Sequence, residues 1–289
     1  MVTAQSPISV CDTSAWQTGT VAVSGGHLAY HRTGGGGPAL VLSHGLTDNG
    51  LCWSRFTRAM AGEYDIIMLD ARGHGASSRM PIGEAHDPGR DIAEAIDQLG
   101  LKSPIVMGHS VGARATAAFA GANPDLATSI VLEDPPLLPP ADKIEVQARH
   151  EKFRRHIAAL QALSDEEIAA LGRTQSPDWH DDEFPAWVQG KRQVDHEAMP
   201  DYVVTWQESL AAIRTPTLLI YGESARGGLV TADIAEVAMQ INPRIRAICV
   251  EGAGHNVRRE NFEGFLSAVR AFLTEGQSPR NAGEAIRGE

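Results

Sequence analysis

Apolar residues cluster along this chain in short, unbroken runs, and amphipathic stretches separate them. Runs over Pro38–Leu42, Tyr64–Leu69, Ile105–Met107, Ser129–Leu132, Pro216–Tyr221 and Ile245–Val250 are β-branched or leucine-rich and lack polar alternation. Such runs read as strands buried on both faces. Between them lie helical patterns: Leu51–Met60, Arg90–Leu99, an alanine-rich stretch that stops before Pro124, Thr231–Ile241 and Glu260–Leu273. In the second of these Ile92, Ile96 and Leu99 share one face. Val21–Val23 and Leu28–His31 flank Gly25-Gly26 and read as a hairpin. Residues 1–18 give no clear signal, Gly34–Gly37 reads as a flexible turn, and 76–89 reads as loop. Strand–helix alternation of this kind predicts an α/β fold: a parallel sheet covered on both faces.

The rhythm changes after Leu132. From Pro135 to Ala212 no buried strand is found. Lys143–Leu160 reads as a long helix, Ser164-Asp165-Glu166-Glu167 as a capping box opening another, and Glu183–Val194 and Asp201–Ile213 as two more. The chain is thus expected to form a sheet domain from residues 1–135 and 213–289, with a helical lid over 136–212. Residues 274–289 are polar and expected to fray. No internal repeat is found.

Chemistry concentrates where strands end. Ile105-Val106-Met107-Gly108-His109-Ser110-Val111-Gly112-Ala113 is a strand, a sharp turn and a helix, with a serine at the apex. Strand and helix can close on each other only if the residues two positions to either side are small, which Gly108 and Gly112 supply. The helix N-terminus behind Ser110 favours developing negative charge. Gly-x-Ser-x-Gly alone is a weak signal in a chain with 29 glycines; the flanking strand and helix give it weight. A serine hydroxyl needs a base, and the base needs an acid to fix its tautomer. Among 11 histidines, His255 is the best base, because its glycine-flanked loop follows the last strand. His44, His74 and His109 belong to local turns at strand ends, and His150, His156, His180 and His196 fall in the lid.

Composition narrows the classes. The chain has 289 residues, 25 basic against 36 acidic, for a net charge of −11. An acidic chain with no basic stripe argues against nucleic acid or anionic membranes as partners. A small-molecule substrate is left open. Cys11, Cys52 and Cys249 have no disulfide or metal spacing, which suits a reducing cytoplasm. Met1–Val10 does not read as a signal peptide, and no run approaches the length of a membrane span. There is no HExxH or CxxC, and His27 with His31 is too isolated for a metal site, so no metal or other cofactor is expected. Oligomeric state is not legible.

The order serine, acid, histidine, with His44-Gly45, Asp70-x-Arg72-Gly73-His74-Gly75, Gly108-x-Ser110-x-Gly112 and Gly254-His255, resembles the α/β-hydrolase superfamily over residues 38–270. The resemblance implies an eight-stranded, mostly parallel sheet with a helical cap after the sixth strand. It also implies an oxyanion hole from the backbone N–H groups of Leu46 and Val111. One feature departs from the pattern. The family's usual acid position, three residues past the glycine after strand Thr217–Tyr221, holds Ala225. The acid is then Glu223 in the same loop, or it comes from the strand ending Glu133-Asp134, an arrangement that resembles superfamily members such as dehalogenases and zearalenone-type lactone hydrolases, with the acid after the sixth strand. Adjacent strand residues face opposite ways, so only one of Glu133 and Asp134 can meet the histidine. Asp134, at the strand's end before the lid, is the favoured one.

Weaker candidates follow. Arg72 reads as a structural ion-pair or turn residue. Trp179, Trp187 and Trp206 are candidates for the acyl pocket or for core packing, with Trp187 and Trp206 carried forward as pocket residues. Arg154, Arg155 and Arg192 could hold an acidic substrate or lie on a solvated face. The elbow serine argues against dehalogenase or epoxide-hydrolase chemistry, for which the resemblance would demand aspartate. The expectation is a serine hydrolase of carboxylic esters or lactones. Hydrolysis of a carbon–carbon bond in a β-diketone or ring-cleavage product is the alternative, and a non-catalytic ligand receptor is a third.

Overall fold

The computed structural model describes residues 13–80, 86–139, 141–200 and 204–277. The strands are β1 (Gln17–Val23), β2 (Gly26–Arg32), β3 (Ala39–Ser43), β4 (Asp65–Leu69), β5 (Ile105–His109), β6 (Ser129–Glu133), β7 (Thr217–Tyr221) and β8 (Ile245–Cys249). They form one eight-stranded sheet in the order β1-β2-β4-β3-β5-β6-β7-β8. The β1–β2 hairpin and the β2–β4 pair are antiparallel, and every other pair is parallel. This is the α/β-hydrolase architecture that the sequence implies.

Alternation along the strands sorts the core into two layers. Val41, Ile67, Val106, Ile130, Leu132 and Leu219 face one side and pack with α2 (Pro88–Gln98), α3 (Val111–Ala122), α7 (Trp206–Ala212) and α8 (Ala232–Ile241). Leu40, Leu42, Ile66, Met68, Met107 and Leu218 face the other, against α1 (Ser54–Met60) and α10 (Phe262–Gln277). Continuous apolar strands are what a sheet covered on both faces requires.

Between β6 and β7 the described residues hold helices only: α4 (Lys143–Gln161), α5 (Asp165–Gln175), α6 (Phe184–Gln193) and α7. The capping box at Ser164 is formed, with Glu167 N–H donating to Ser164 Oγ and Ser164 N–H to Glu167 Oε2. Asp142 and Thr205 build the same device at the starts of α4 and α7. Phe153 and Ile157 of α4, with Val194 and Ala198, pack against Leu46 and Met80. The helical segment therefore rests on the loop after β3. No described helix is long and apolar enough to cross a membrane.

Several boundaries differ from expectation. The stretch Leu51–Met60 opens as a 3-10 turn, Gly50–Trp53, before α1, and α6 follows a 3-10 turn over Asp181–Glu183. The closing helix is broken at Asn261 into α9 (Val257–Glu260) and α10. Asn261 Nδ2 donates to Glu251 O, and its Oδ1 accepts from Gly264 N–H, so the side chain caps the second helix and interrupts the first. Helix α10 runs to Gln277, past the point at which fraying is expected. The remainder of the tail, part of the loop over 76–89, the start of the Asp201–Ile213 helix and most of residues 1–18 lie outside the described residues.

Candidate active site

Ser110 sits between β5 and α3 with φ 55° and ψ −124°, a conformation that non-glycine residues adopt at a cost of roughly 1–3 kcal/mol. Backbone bonds hold it there: Ser110 N–H donates to Glu133 O at 2.9 Å, and Arg114 N–H donates to Ser110 O at 3.0 Å. The flanking glycines are required by contact. A Cβ on Gly108 would lie 2.3 Å from Gly112 O, and one on Gly112 would lie 2.4 Å from His44 O. The strained serine thus stands at the carboxyl edge of the central strands, next to the loop that follows β3.

His255 arrives from the loop after β8. Its Nδ1–H donates to Asp134 Oδ2 at 2.7 Å, and Ser110 Oγ donates to its Nε2 at 3.0 Å. Asp134 has φ 40° at the end of β6, is fully buried, and accepts two further bonds, from Leu229 N–H (2.8 Å) and Val230 N–H (3.0 Å). The neighbouring acid points elsewhere. Glu133 accepts from Arg258 N–H (2.9 Å) and from Arg258 Nη1 (3.0 Å). Burial pushes the Glu133 carboxyl up from its ordinary value, and Arg258 opposes this. Glu223 lies in the β7 loop and is not hydrogen-bonded to His255, whose Nδ1 is occupied by Asp134.

His109 backs the His255 loop. Its Nε2–H donates to His255 O at 3.0 Å, and the two rings lie 4.9 Å apart. Burial holds His109 neutral, well below the ordinary histidine range, and Arg258 adds to this. His44 and His74 are likewise buried and neutral. Ala71 N–H donates to His44 Nε2 at 2.9 Å, which leaves His44 Nδ1–H for Gly45 O at 2.8 Å. His74 Nδ1–H donates to Arg72 O, and burial, followed by the nearby His44, lowers its pKa to about 3.

Val111 follows the serine and opens α3, and Leu46 lies in the loop after β3, where a Cβ on the preceding Gly45 would lie 3.3 Å from Ser110 Cβ. The Leu46 side chain joins the apolar cluster of α4. Arg72 is structural in its contacts: it pairs with Asp91 at 3.0 Å and caps the Ser24 and Gly25 carbonyls. Arg154 pairs with Glu197, and Arg192 with Asp165, so each has a carboxylate within the helical segment.

The two tryptophans carried forward as pocket residues have packing partners of their own. Trp206 packs in the α3/α7 face of the main core with Leu210 and Ile213. Trp187 stacks edge-on with Trp179 and Phe184 beneath the Lys191 ammonium. Neither belongs to the apolar cluster that meets Leu46, in which Phe153 and Ile157 take part. An aromatic on an amphipathic helix announces burial, but not against which surface.

Sequence reasoning also missed a buried charge cluster under the site. Asp48 accepts from Lys191 Nζ (3.3 Å), Arg259 Nη2 (3.0 Å) and Arg258 Nη2 (3.4 Å), and Arg259 Nε donates to Glu183 (3.2 Å). Burial pushes the Asp48 carboxyl up, but Arg259, Lys191 and Arg258 outweigh it and hold it below the usual carboxylate range. The available signal was Arg258-Arg259 opening a helix three residues after His255.

A serine–histidine–carboxylate chain at the strand edge of such a sheet is characteristic of the hydrolase class of α/β proteins. A model of the alpha/beta hydrolase family matches residues 40–268, and the chain belongs to that family. N-formylmaleamate deformylase of Pseudomonas putida is 30% identical over 268 residues, 88% of this chain and 96% of the relative. The 2-(acetamidomethylene)succinate hydrolase of Mesorhizobium japonicum is 28% identical, over 84% of this chain and 90% of the relative. The crystal structure of an E-2-(acetamidomethylene)succinate hydrolase superposes with a TM-score of 0.75 at 22% identity, covering 90% of this chain and 99% of that one.

Proposed function

We propose that the protein is a serine hydrolase that transfers the acyl group of a small carboxylic ester or lactone to Ser110 and then to water. His255 Nε2 takes the Ser110 proton as Oγ attacks the carbonyl carbon. Asp134 holds the imidazole in the Nδ1–H tautomer and supports its charge. The N–H groups of Leu46 and Val111 receive the oxyanion. His255 returns the proton to the leaving group and then activates water to cleave the acyl-enzyme. Residues 136–212 act as a cap, and the cluster of Phe153, Ile157 and Leu46 shapes the acyl side of the site. The observation that carries this reading is the continuous chain Asp134 Oδ2–His255–Ser110 Oγ, at 2.7 and 3.0 Å.

A second reading has a specific motive. The two relatives above are named for removing a formyl group and for acting on an acetamido compound, so an N-acyl bond is a candidate substrate on the same machinery. A panel of p-nitrophenyl esters, lactones, N-formyl and N-acetyl enamides, and coloured dienoates tests both. Ester or lactone turnover that is lost in Ser110→Ala supports the first reading, and turnover confined to the enamides supports the second. Dienoate cleavage without ester cleavage would overturn both in favour of carbon–carbon hydrolysis.

A further inference from the structure

The loop after β3 is held from outside the sheet domain. Lys191 of α6 is 4% exposed and reaches down to donate to Thr47 O at 3.0 Å and to Asp48 Oδ1 at 3.3 Å. Thr47 has φ 68°, a left-handed backbone that a β-branched residue adopts only when its surroundings impose it. Gly190 lets the helix come this close: a Cβ there would lie 2.8 Å from Thr47 O. The Lys191 ammonium also stands 4.4 Å over the Trp187 ring, which fixes it from the cap side. Asp48 ties the same loop to Arg258 and Arg259, three and four residues after His255. Glu133, next to Asp134, and Glu183, at the start of α6, complete the cluster. Three carboxylates and three cations are thereby buried together, so the array is neutral when all are ionised.

We propose that Lys191 is a positioning residue for the oxyanion-binding loop, drawing Thr47 O and Asp48 onto the cap so that Leu46 N–H is aimed at the acyl carbonyl on Ser110. The inference rests on the serine-hydrolase reading above. Lys191 touches no reacting atom; it acts through the strained Thr47 carbonyl one residue from the donor. It also makes the cap a part of the catalytic geometry: a cap displaced from the sheet domain takes the loop's only cap-borne cation with it among the described residues. The charge is needed at that place because Arg258 and Arg259 are shared with Glu133 and Glu183, so without Lys191 three buried carboxylates face two cations, and Asp48 Oδ1 and the Thr47 carbonyl lose their donor together.

The test uses the full chain and two perturbations that converge on Thr47. Lys191→Met keeps the side-chain length and removes the charge. Gly190→Ala presses on Thr47 O from the same helix and changes no charge. Each is compared with the parent for kcat and KM on a turned-over ester and for the inhibition constant of a trifluoromethyl ketone, whose hemiketal oxyanion occupies the same donors. Hydrogen exchange at residues 45–50 is followed alongside. Each variant is expected to lose on the order of 10–100-fold in kcat with little change in KM, because the lost interaction is made only in the transition state. The ketone should weaken by the same factor, and exchange at 45–50 should quicken. Unchanged kcat, ketone binding and exchange would overturn the proposal. So would a kcat loss without weaker ketone binding, which would place the effect on His255. Should Lys191→Met fail to fold, Gly190→Ala decides. Should the parent itself lack a reactive Ser110, the hydrolase reading fails, and exchange at 45–50 still decides whether Lys191 holds the loop.

Discussion

Replacing Asp134 by asparagine separates the acid from its shape. Both carboxylate oxygens accept in the fully buried site: Oδ2 from His255 Nδ1–H and Leu229 N–H, Oδ1 from Val230 N–H. An asparagine has one acceptor oxygen for these three donors. With its NH₂ at the Oδ2 position it donates to His255 Nδ1, moves the ring proton to Nε2 and leaves no base for Ser110. With its NH₂ at the Oδ1 position it faces the Val230 N–H donor to donor, at a cost of about 1–3 kcal/mol for the unsatisfied groups. Either way the imidazolium loses its counter-charge. We expect kcat to fall on the order of 10²–10⁴-fold, about 3–5 kcal/mol of transition-state stabilisation, with a modest loss in Tm. Ester hydrolysis should be followed well below that Tm, with circular dichroism on the same sample. Glu223→Gln should cost no more than about tenfold, since that side chain stands outside the chain of hydrogen bonds. Asp134→Asn activity within tenfold of the parent, or a loss for Glu223→Gln as large as that for Asp134→Asn, would refute the reasoning.

His74, held near pKa 3 in the fold, is protonated in the unfolded chain below about pH 6.5. Its contribution is therefore complete above pH 6.5 and is lost as pH falls toward 3, by up to about 1.4 kcal/mol per pH unit. His74→Gln should flatten the fall of the urea midpoint between pH 7 and 5, and an unchanged slope would contradict this. Ile157→Ala, in the cluster with Leu46, should shift preference toward longer acyl chains. Trp206→Phe should lower Tm and leave chain-length preference alone; a changed preference would place Trp206 in the pocket.

What could be read from the chain was what is local. Leu40-Val41-Leu42 and Met107 announced strands buried on both faces, because a two-sided core leaves no polar alternation to see. Gly108 and Gly112 announced the tight turn at Ser110, because the contacts that exclude a Cβ are made within five residues or by the adjacent strand. Ala225, in the place where the family carries an acid, directed attention to Asp134. The charge cluster was hidden because Asp48 and Arg259 are 211 residues apart and meet only after the sheet is built. The packing partners of Trp206 were hidden for a related reason: helical periodicity shows that the residue is buried, but not which neighbours it meets, and it packs in the main core with Leu210 and Ile213. The break at Asn261 depends on one side chain choosing Gly264 N–H over a continuous helix, which periodicity does not register.

The central claim is that Ser110 is the atom that attacks. It is tested most directly by exposing the protein to a fluorophosphonate and mapping the adduct by mass spectrometry, with His255→Ala alongside. The account predicts a single stoichiometric adduct on the peptide containing Ser110, concurrent loss of hydrolysis, and little labelling of the His255 variant. Full hydrolytic activity with Ser110 unmodified, or an adduct on another residue that tracks the loss of activity, would contradict it.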